Sequence, residues 1–351
     1  MDYLSAIAQT KMPVMVWDTT GHVVDKMGYA GAYVGYMGGK IYALGGANFP
    51  SGTPPWKGGE KVWSRRIFIF DADGNSQEAS FMLPKPMGYG AYASYQDKLY
   101  IAGGSDQSGH LTDVYMLQVS TGGAVFTQLP DLPAPIANCA SVRIGDYWYI
   151  LGGIQAPDVK EATTTCWRMD LKDPDKGWEI LTGIPGPGRM LAVAGNADGN
   201  LVVVSGVQLI NGHRKYLKDA YLLDQHGVWQ RLPDLQDAVA AAPSPAAIDQ
   251  KSGRLLIFGG DDGSLANAAL EDEHPGFSNK ILSYHIMDRK WGNAGEIPVH
   301  KGGDAASNPG ASVWSPVTTG TVQYGNMIFI PMGEVRPGIR TSRILTVCLS
   351  Q

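Results

Sequence analysis

Lys40-Ile-Tyr-Ala-Leu-Gly-Gly46, KIYALGG, is five residues of strand-forming character closed by two glycines. It decides the fold because it recurs. The chain repeats it as KLYIAGG (98–104), YWYILGG (147–153), NLVVVSG (200–206), RLLIFGG (254–260) and MIFIPMG (327–333), six copies across 351 residues. A short unit repeated along a whole chain is one supersecondary element that buries its faces against copies of itself.

The flanks of each copy agree with one another. Before it stands a strand of small residues and a tight turn, such as Gly38-Gly39, Gln96-Asp97 or Gly325-Asn326. After it comes a further strand: RIFIF, DVYML, CWRMD, AYLLD, ILSYH or RILTV. Most repeats then end in a Trp- or Phe-bearing segment and a Leu-Pro or Ile-Pro step. Alternation, β-branched and aromatic residues and Gly turns all indicate strands, and no long helical period competes. Four strands make a blade. Gly-Gly after the second strand with a late Trp resembles the kelch repeat, which implies an all-β, six-bladed kelch β-propeller as a single unit over residues 1–351. The blades are expected near 28–83, 89–129, 139–181, 190–231, 244–294 and 317–347. The last repeat stops after RILTVCLSQ, short of its fourth strand, so MPVMVWD (12–18) is expected to complete blade six and close the ring.

Composition removes several function classes. With 44% hydrophobic and 17% charged residues the chain is that of a folded protein, and a net charge of −5 without a Lys/Arg cluster argues against nucleic acid as a partner. No run approaches the ~20 apolar residues of a membrane-spanning helix, so no membrane insertion is expected. The opening MDYLSAIAQTKMPVMVWD shows neither the basic nor the apolar region of a signal peptide. Cys139, Cys166 and Cys348 are far apart, with no zinc-type spacing, and read as buried or half-buried thiols.

Within each repeat the turns joining strands one to two and three to four are short, whereas the other two connection types are long and irregular. Residues 47–64, 185–190, 261–279 and 296–316 all belong to the long types. In a propeller these emerge on one face, where binding and catalysis concentrate. They carry Trp56, Trp63, His274, Phe277, His300 and Trp314. The same face receives GEVRPGIRT (333–341), with Glu334 and Arg340 at the two ends of a Pro337-Gly338 turn. An ion pair there is either a staple for its own loop, worth ~0–1 kcal/mol at a surface, or a reacting pair.

Specific stretches extend the likeness. GGANFPSGTPPWKGGEKVW, LPKPMGYGAYAS, GGSD, PGPGRML, HPGFSNKILSYH, PVTTG and GEVRPGIRT, from about Met27 to Ile344, resemble the kelch-type sialic acid mutarotases (N-acetylneuraminate epimerases), in their cyclically permuted branch. The resemblance implies that Glu334 and Arg340 form the catalytic pair, that no cofactor is needed, that the partner is a small sugar acid, and that the setting is periplasmic or secreted. Gly188 departs from the pattern, where Ala is expected.

A mutarotase opens a reducing sugar and closes it on the other carbonyl face, moving one proton off the anomeric hydroxyl and one onto the ring oxygen. Glu334 suits that proton traffic, and Arg340 suits either the substrate carboxylate or a developing oxyanion. Arg189 and Arg336 are candidates for further anion contacts; Asn48, Asp106, His110 and His274 are candidates for sugar hydroxyls or an N-acetyl group. Trp56, Trp63 and Phe277 are either apolar walls or loop packing. Rival readings are weaker. No Asp box marks a sialidase, no Cys–Tyr and His set marks a copper-radical oxidase, and the acidic run LEDEHPG (270–276) is a poor metal site. A kelch module that binds carbohydrate or protein without catalysis is the alternative, as is a mutarotase for a different sugar acid; a narrow cleft lined by Glu334, Arg340 and Arg189 would favour the enzyme.

Overall fold

The computed structural model describes residues 12–302 and 311–350. Within them lie six four-stranded antiparallel sheets, each a meander running outward from an axial strand; the first is Tyr33–Met37, Lys40–Leu44, Ile67–Phe70 and Ser76–Glu78. Among the described residues helix is confined to three 3-10 turns, Pro55–Lys57, Pro174–Lys176 and Glu271–Glu273. This is the six-bladed propeller that the repeat implies.

The doublet strands read as continuous apolar runs because a neighbouring blade covers each of their faces. In Lys40–Leu44, Tyr42 and Leu44 pack with Leu99, Ile101 and Leu117 of blade two, while Ile41 and Ala43 pack with Val322 and Phe329 of blade six. Alternation with period two thus sends successive residues into different cores. The same division fills each junction around the ring.

Closure comes from the strand Val14–His22, which pairs antiparallel with Arg343–Ser350 from Val14 opposite Ser350 to His22 opposite Arg343. It runs four residues beyond the expected Asp18, past an irregularity between Asp18 and Gly21. Trp17 meets Phe258 of blade five edge-on, with centroids 5.9 Å apart, so the segment covers what would be an open sheet edge and seals a blade junction.

Two backbone devices repeat six times and build the face that matters. The first is the doublet. Both of its residues are left-handed in every blade, from Gly45 and Gly46 at φ 64° and 84° to Met332 and Gly333 at 57° and 112°. The residue after it then pairs with the connection that enters the same blade: Ala47 with Ala30, Ser105 with Gly88, Ile154 with Ala137, Val207 with Met190, Asp261 with Ala240 and Glu334 with Val317. The second position must be Gly because a Cβ on Gly333 would lie 2.8 Å from the Val317 oxygen.

The second device is a closed hydrogen-bond ring. Gly31, Tyr89, Asn138, Leu191, Ala241 and Thr318 each follow a bridged residue and sit at φ between 54° and 69°. Each donates its N–H to the carbonyl of the ring member in the preceding blade, Gly31 returning to Thr318, at 2.7–2.8 Å. Six peptide groups are thereby satisfied around the propeller axis, forming a floor.

Candidate active site

Glu334 and Arg340 are brought together by the hairpin Glu334–Arg336 with Ile339–Arg340, in which they are directly opposite. Pro337-Gly338 makes its turn with Gly338 at φ 74°, the placement a Pro-Gly turn favours. Beneath the hairpin Val335 and Ile339 pack with Trp314 and Trp56 in a small core of their own. Trp56 and Trp314 therefore support the loop.

The pair is held at both ends. Glu334 Oε1 accepts the Gly338 N–H at 2.8 Å and its Oε2 lies 3.1 Å from Arg340 Nη1. Arg340 is 8% exposed; its Nε donates to the Ala47 carbonyl at 3.3 Å, its Nη2 lies 3.5 Å from the Tyr89 hydroxyl, and its guanidinium covers Phe49 at 5.2 Å. Burial opposes the arginine charge, but Glu334 and Tyr89 more than offset it, so its pKa lies above the ordinary value. Burial raises the Tyr89 phenol despite the nearby Arg340.

The pair opens into a cavity of about 320 Å³ above the hydrogen-bond ring. Tyr89, Asn138, Leu191, Ala241 and Thr318 form its floor; Lys61 of blade one, Arg214 and Tyr216 of blade four, and Asp261 and Phe277 of blade five complete the wall. Asp261 holds the doublet-following position of blade five as Glu334 does in blade six, and both line the cavity. The Tyr216 hydroxyl donates to Asp261 Oδ2 at 2.6 Å, and burial together with that carboxylate raises the phenol to about 12. Lys61 places its ammonium over Trp63 at 4.4 Å and Tyr89 at 5.1 Å. Although Lys61 as a whole residue remains exposed, desolvation of its ammonium and then the Arg340 charge lower its pKa.

A second chamber of about 270 Å³ shares Arg214, Tyr216, Asp261, Phe277 and Pro337 with the first. His274 lines it, its Nδ1 accepting the Gly276 N–H at 3.1 Å and its ring 5.4 Å from Phe277; burial holds its pKa below the usual range. A larger cavity, about 700 Å³, opens at the other mouth of the propeller among Tyr95, Asp97, Arg143 and Gln323. Volume alone does not select it, because the carboxylate paired with a buried arginine, Glu334 with Arg340, sits at the smaller one.

The other expected contacts lie elsewhere. Arg189 is fully buried and turned away from the cavity: it pairs with both Asp219 oxygens at 2.9 and 3.0 Å, donates to the Ser205 carbonyl and covers Tyr221. It joins blades three and four, and the anion contact expected of it does not fit that geometry. Arg336, 2% exposed, donates to the Asp272 carbonyl at 2.7 Å and packs on Trp314, and it does not line the cavity. Asn48 is buried and donates to the Gly28 carbonyl, and Asp106 accepts from its own turn at Ser108. His110 has both ring nitrogens buried without a hydrogen-bond partner, and burial lowers its pKa. None of these lines either upper chamber. The acidic run forms the 3-10 turn Glu271–Glu273, and Asp272 pairs with Lys57.

A model of the N-acetylneuraminate epimerase family matches residues 129–276. The chain resembles the N-acetylneuraminate epimerases. Two proteins of that name from Haemophilus influenzae strains PittEE and 86-028NP are each 29% identical over 61% of this chain and 57% of theirs. A Brucella melitensis epimerase is 27% identical over 63% of this chain and 59% of its own length. The likeness therefore spans under two thirds of those epimerases, and the family match ends before the Glu334–Arg340 hairpin.

Lys61, Arg214, Tyr216 and Asp261 were not singled out from the sequence. One signal would have found Asp261: aligning the residue that follows each doublet gives Ala47, Ser105, Ile154, Val207, Asp261 and Glu334, with two carboxylates side by side.

Proposed function

We propose that this chain accelerates interconversion of the α and β anomers of N-acetylneuraminate. One observation carries the reading: a carboxylate paired with a buried arginine, Glu334 with Arg340, lines a cavity of monosaccharide scale in a propeller that resembles the epimerases. A deep chamber favours this over a partner-binding surface, even though Arg189 does not line it.

The chemistry needs a base at the anomeric hydroxyl and an acid at the ring oxygen. Glu334 takes the hydroxyl proton; the C2–O6 bond breaks, its electron pair remaining on O6, which gains a proton while C2 becomes a ketone. Rotation about C2–C3 turns the other carbonyl face to O6, and closure reverses the transfers. The Gly338 N–H fixes one Glu334 oxygen, and Arg340 holds the carboxylate in place and stabilises negative charge. The Tyr216–Asp261 pair supplies the second proton site from the neighbouring blade. Positioned transfers of this kind contribute ~10²–10⁴-fold. The test is proton NMR of N-acetylneuraminate with catalytic amounts of protein: faster anomer exchange than in buffer supports the reading, and an unchanged rate opposes it.

A further inference from the structure

We propose that Lys61 is the carboxylate anchor of this site and selects a sugar acid over its uncharged counterpart. The proposal rests on the mutarotase reading and names the residue that would set its substrate class. In a 2-keto sugar acid the carboxylate is bonded to the anomeric carbon itself. The group that handles the anomeric hydroxyl and the group that holds the carboxylate must therefore be neighbours.

Two cations stand on the Glu334 side of the cavity, Arg340 and Lys61. Arg340 is bound up with protein groups: its Nε donates to the Ala47 carbonyl, its Nη2 lies 3.5 Å from the Tyr89 hydroxyl, and its Nη1, which makes no hydrogen bond, lies 3.1 Å from Glu334 Oε2 as an ion pair, which fixes it as the positioning partner of the base. Lys61 has no carboxylate and no hydrogen-bond partner among the described residues. Its ammonium is instead held between the Trp63 and Tyr89 rings, at 4.4 and 5.1 Å from their centroids. Cation–π contact locates the charge without using its N–H donors, so they stay free for an anion. Its electrostatic neighbours are Arg340 and Glu334, which places it beside the reacting pair. Both cavity carboxylates are committed, Glu334 to Arg340 and Gly338, Asp261 to Tyr216 and Gly263, and neither forms an ion pair with Lys61. Arg214 also lines the cavity, but on the blade-four wall beside Tyr216, opposite Lys61 around the ring. It is placed to meet the distal part of the sugar.

The experiment compares N-acetylneuraminate with its methyl ester, measuring binding by calorimetry and anomer exchange by NMR on the same samples. Wild type, Lys61→Met, Lys61→Arg and Arg214→Met are used, with thermal unfolding as the check on folding. Met keeps the length and apolar stem of Lys61. Wild type should prefer the acid, and Lys61→Met should weaken acid binding by roughly tenfold to a hundredfold, the loss of one charge-assisted contact, and abolish the preference. KM for the acid should rise more than kcat falls, and Lys61→Arg should retain most of the preference. A preference that survives Lys61→Met, or one that disappears in Arg214→Met instead, overturns the assignment. If wild type binds the acid with a Lys61-dependent preference but speeds no exchange, the anchor stands and the mutarotase reading falls. If wild type binds neither compound, both fall.

Discussion

Asp261 and Glu334 occupy the same position of adjacent blades, each following a left-handed doublet and each exchanging two backbone hydrogen bonds with the connection that enters its blade. Asp261 bonds with Ala240 at 2.7 and 3.0 Å, Glu334 with Val317 at 2.8 Å in both directions. The repeat that builds the fold thus also aims two carboxylates into one chamber, and it does so through main chain that side-chain substitutions leave in place.

That equivalence makes Asp261 testable apart from Glu334. Asp261→Asn and Tyr216→Phe each disturb the 2.6 Å hydrogen bond while keeping shape. If the pair serves the ring oxygen, kcat for anomer exchange should drop about 10²-fold in each, the lower end for a positioned proton-transfer group, and the double variant should lose little more than either single one. Rates close to wild type would make the pair a structural tie.

The doublet's second residue should be intolerant of any side chain. Gly333 lies at φ 112°, and its Cβ would press on the carbonyl that receives the Glu334 N–H. Gly333→Ala should cost on the order of 1–3 kcal/mol in denaturant unfolding and lower activity with it. Gly325, at φ 59° in the turn between the first two strands of blade six with open space around it, is the control: Gly325→Asn should stay within ~0.5 kcal/mol of wild type. Equal losses at the two positions would contradict the close-approach account.

Acid should destabilise the fold before the carboxylates titrate. His22, His110 and His274 all have folded pKa values lowered, chiefly by burial. The unfolded chain, titrating near ~6.5, then binds more protons than the folded one just below that pH. Their stability contribution is therefore fully present above ~6.5 and is lost as pH falls toward the depressed folded values. Tm should decline between about pH 7 and pH 5, and His110→Leu should flatten the decline. A Tm that is level or rising over that interval would refute the assignment.

The fold was legible because the doublet is dictated by backbone sterics: only a few residues accept two consecutive left-handed conformations, so the glycines mark each blade. The closing strand was legible too, although Thr19 to His22 were missed: the apolar, Trp-bearing stretch that marked the strand ends at Asp18, and the pairing continues only past an irregularity between Asp18 and Gly21. The hydrogen-bond ring left no trace, since Tyr89, Asn138, Leu191, Ala241 and Thr318 share a conformation but no chemistry. The Glu334–Arg340 pair is local, six residues apart in a hairpin, and could be read directly. Arg189 could not, because its partner Asp219 lies 30 residues on, in the next blade. The departure at Gly188 has a local cause here: a Cβ would fall 1.9 Å from the Ala162 oxygen, so Ala does not fit this loop.

The most direct measurement of the central claim dissolves N-acetylneuraminate enriched in its α anomer and follows its relaxation toward the β-dominated equilibrium by NMR, with wild type and Glu334→Gln. The account predicts acceleration by wild type and a ~10²–10⁴-fold loss in a Glu334→Gln protein that still folds and binds the sugar. Wild type no faster than buffer, or Glu334→Gln as fast as wild type, would contradict it.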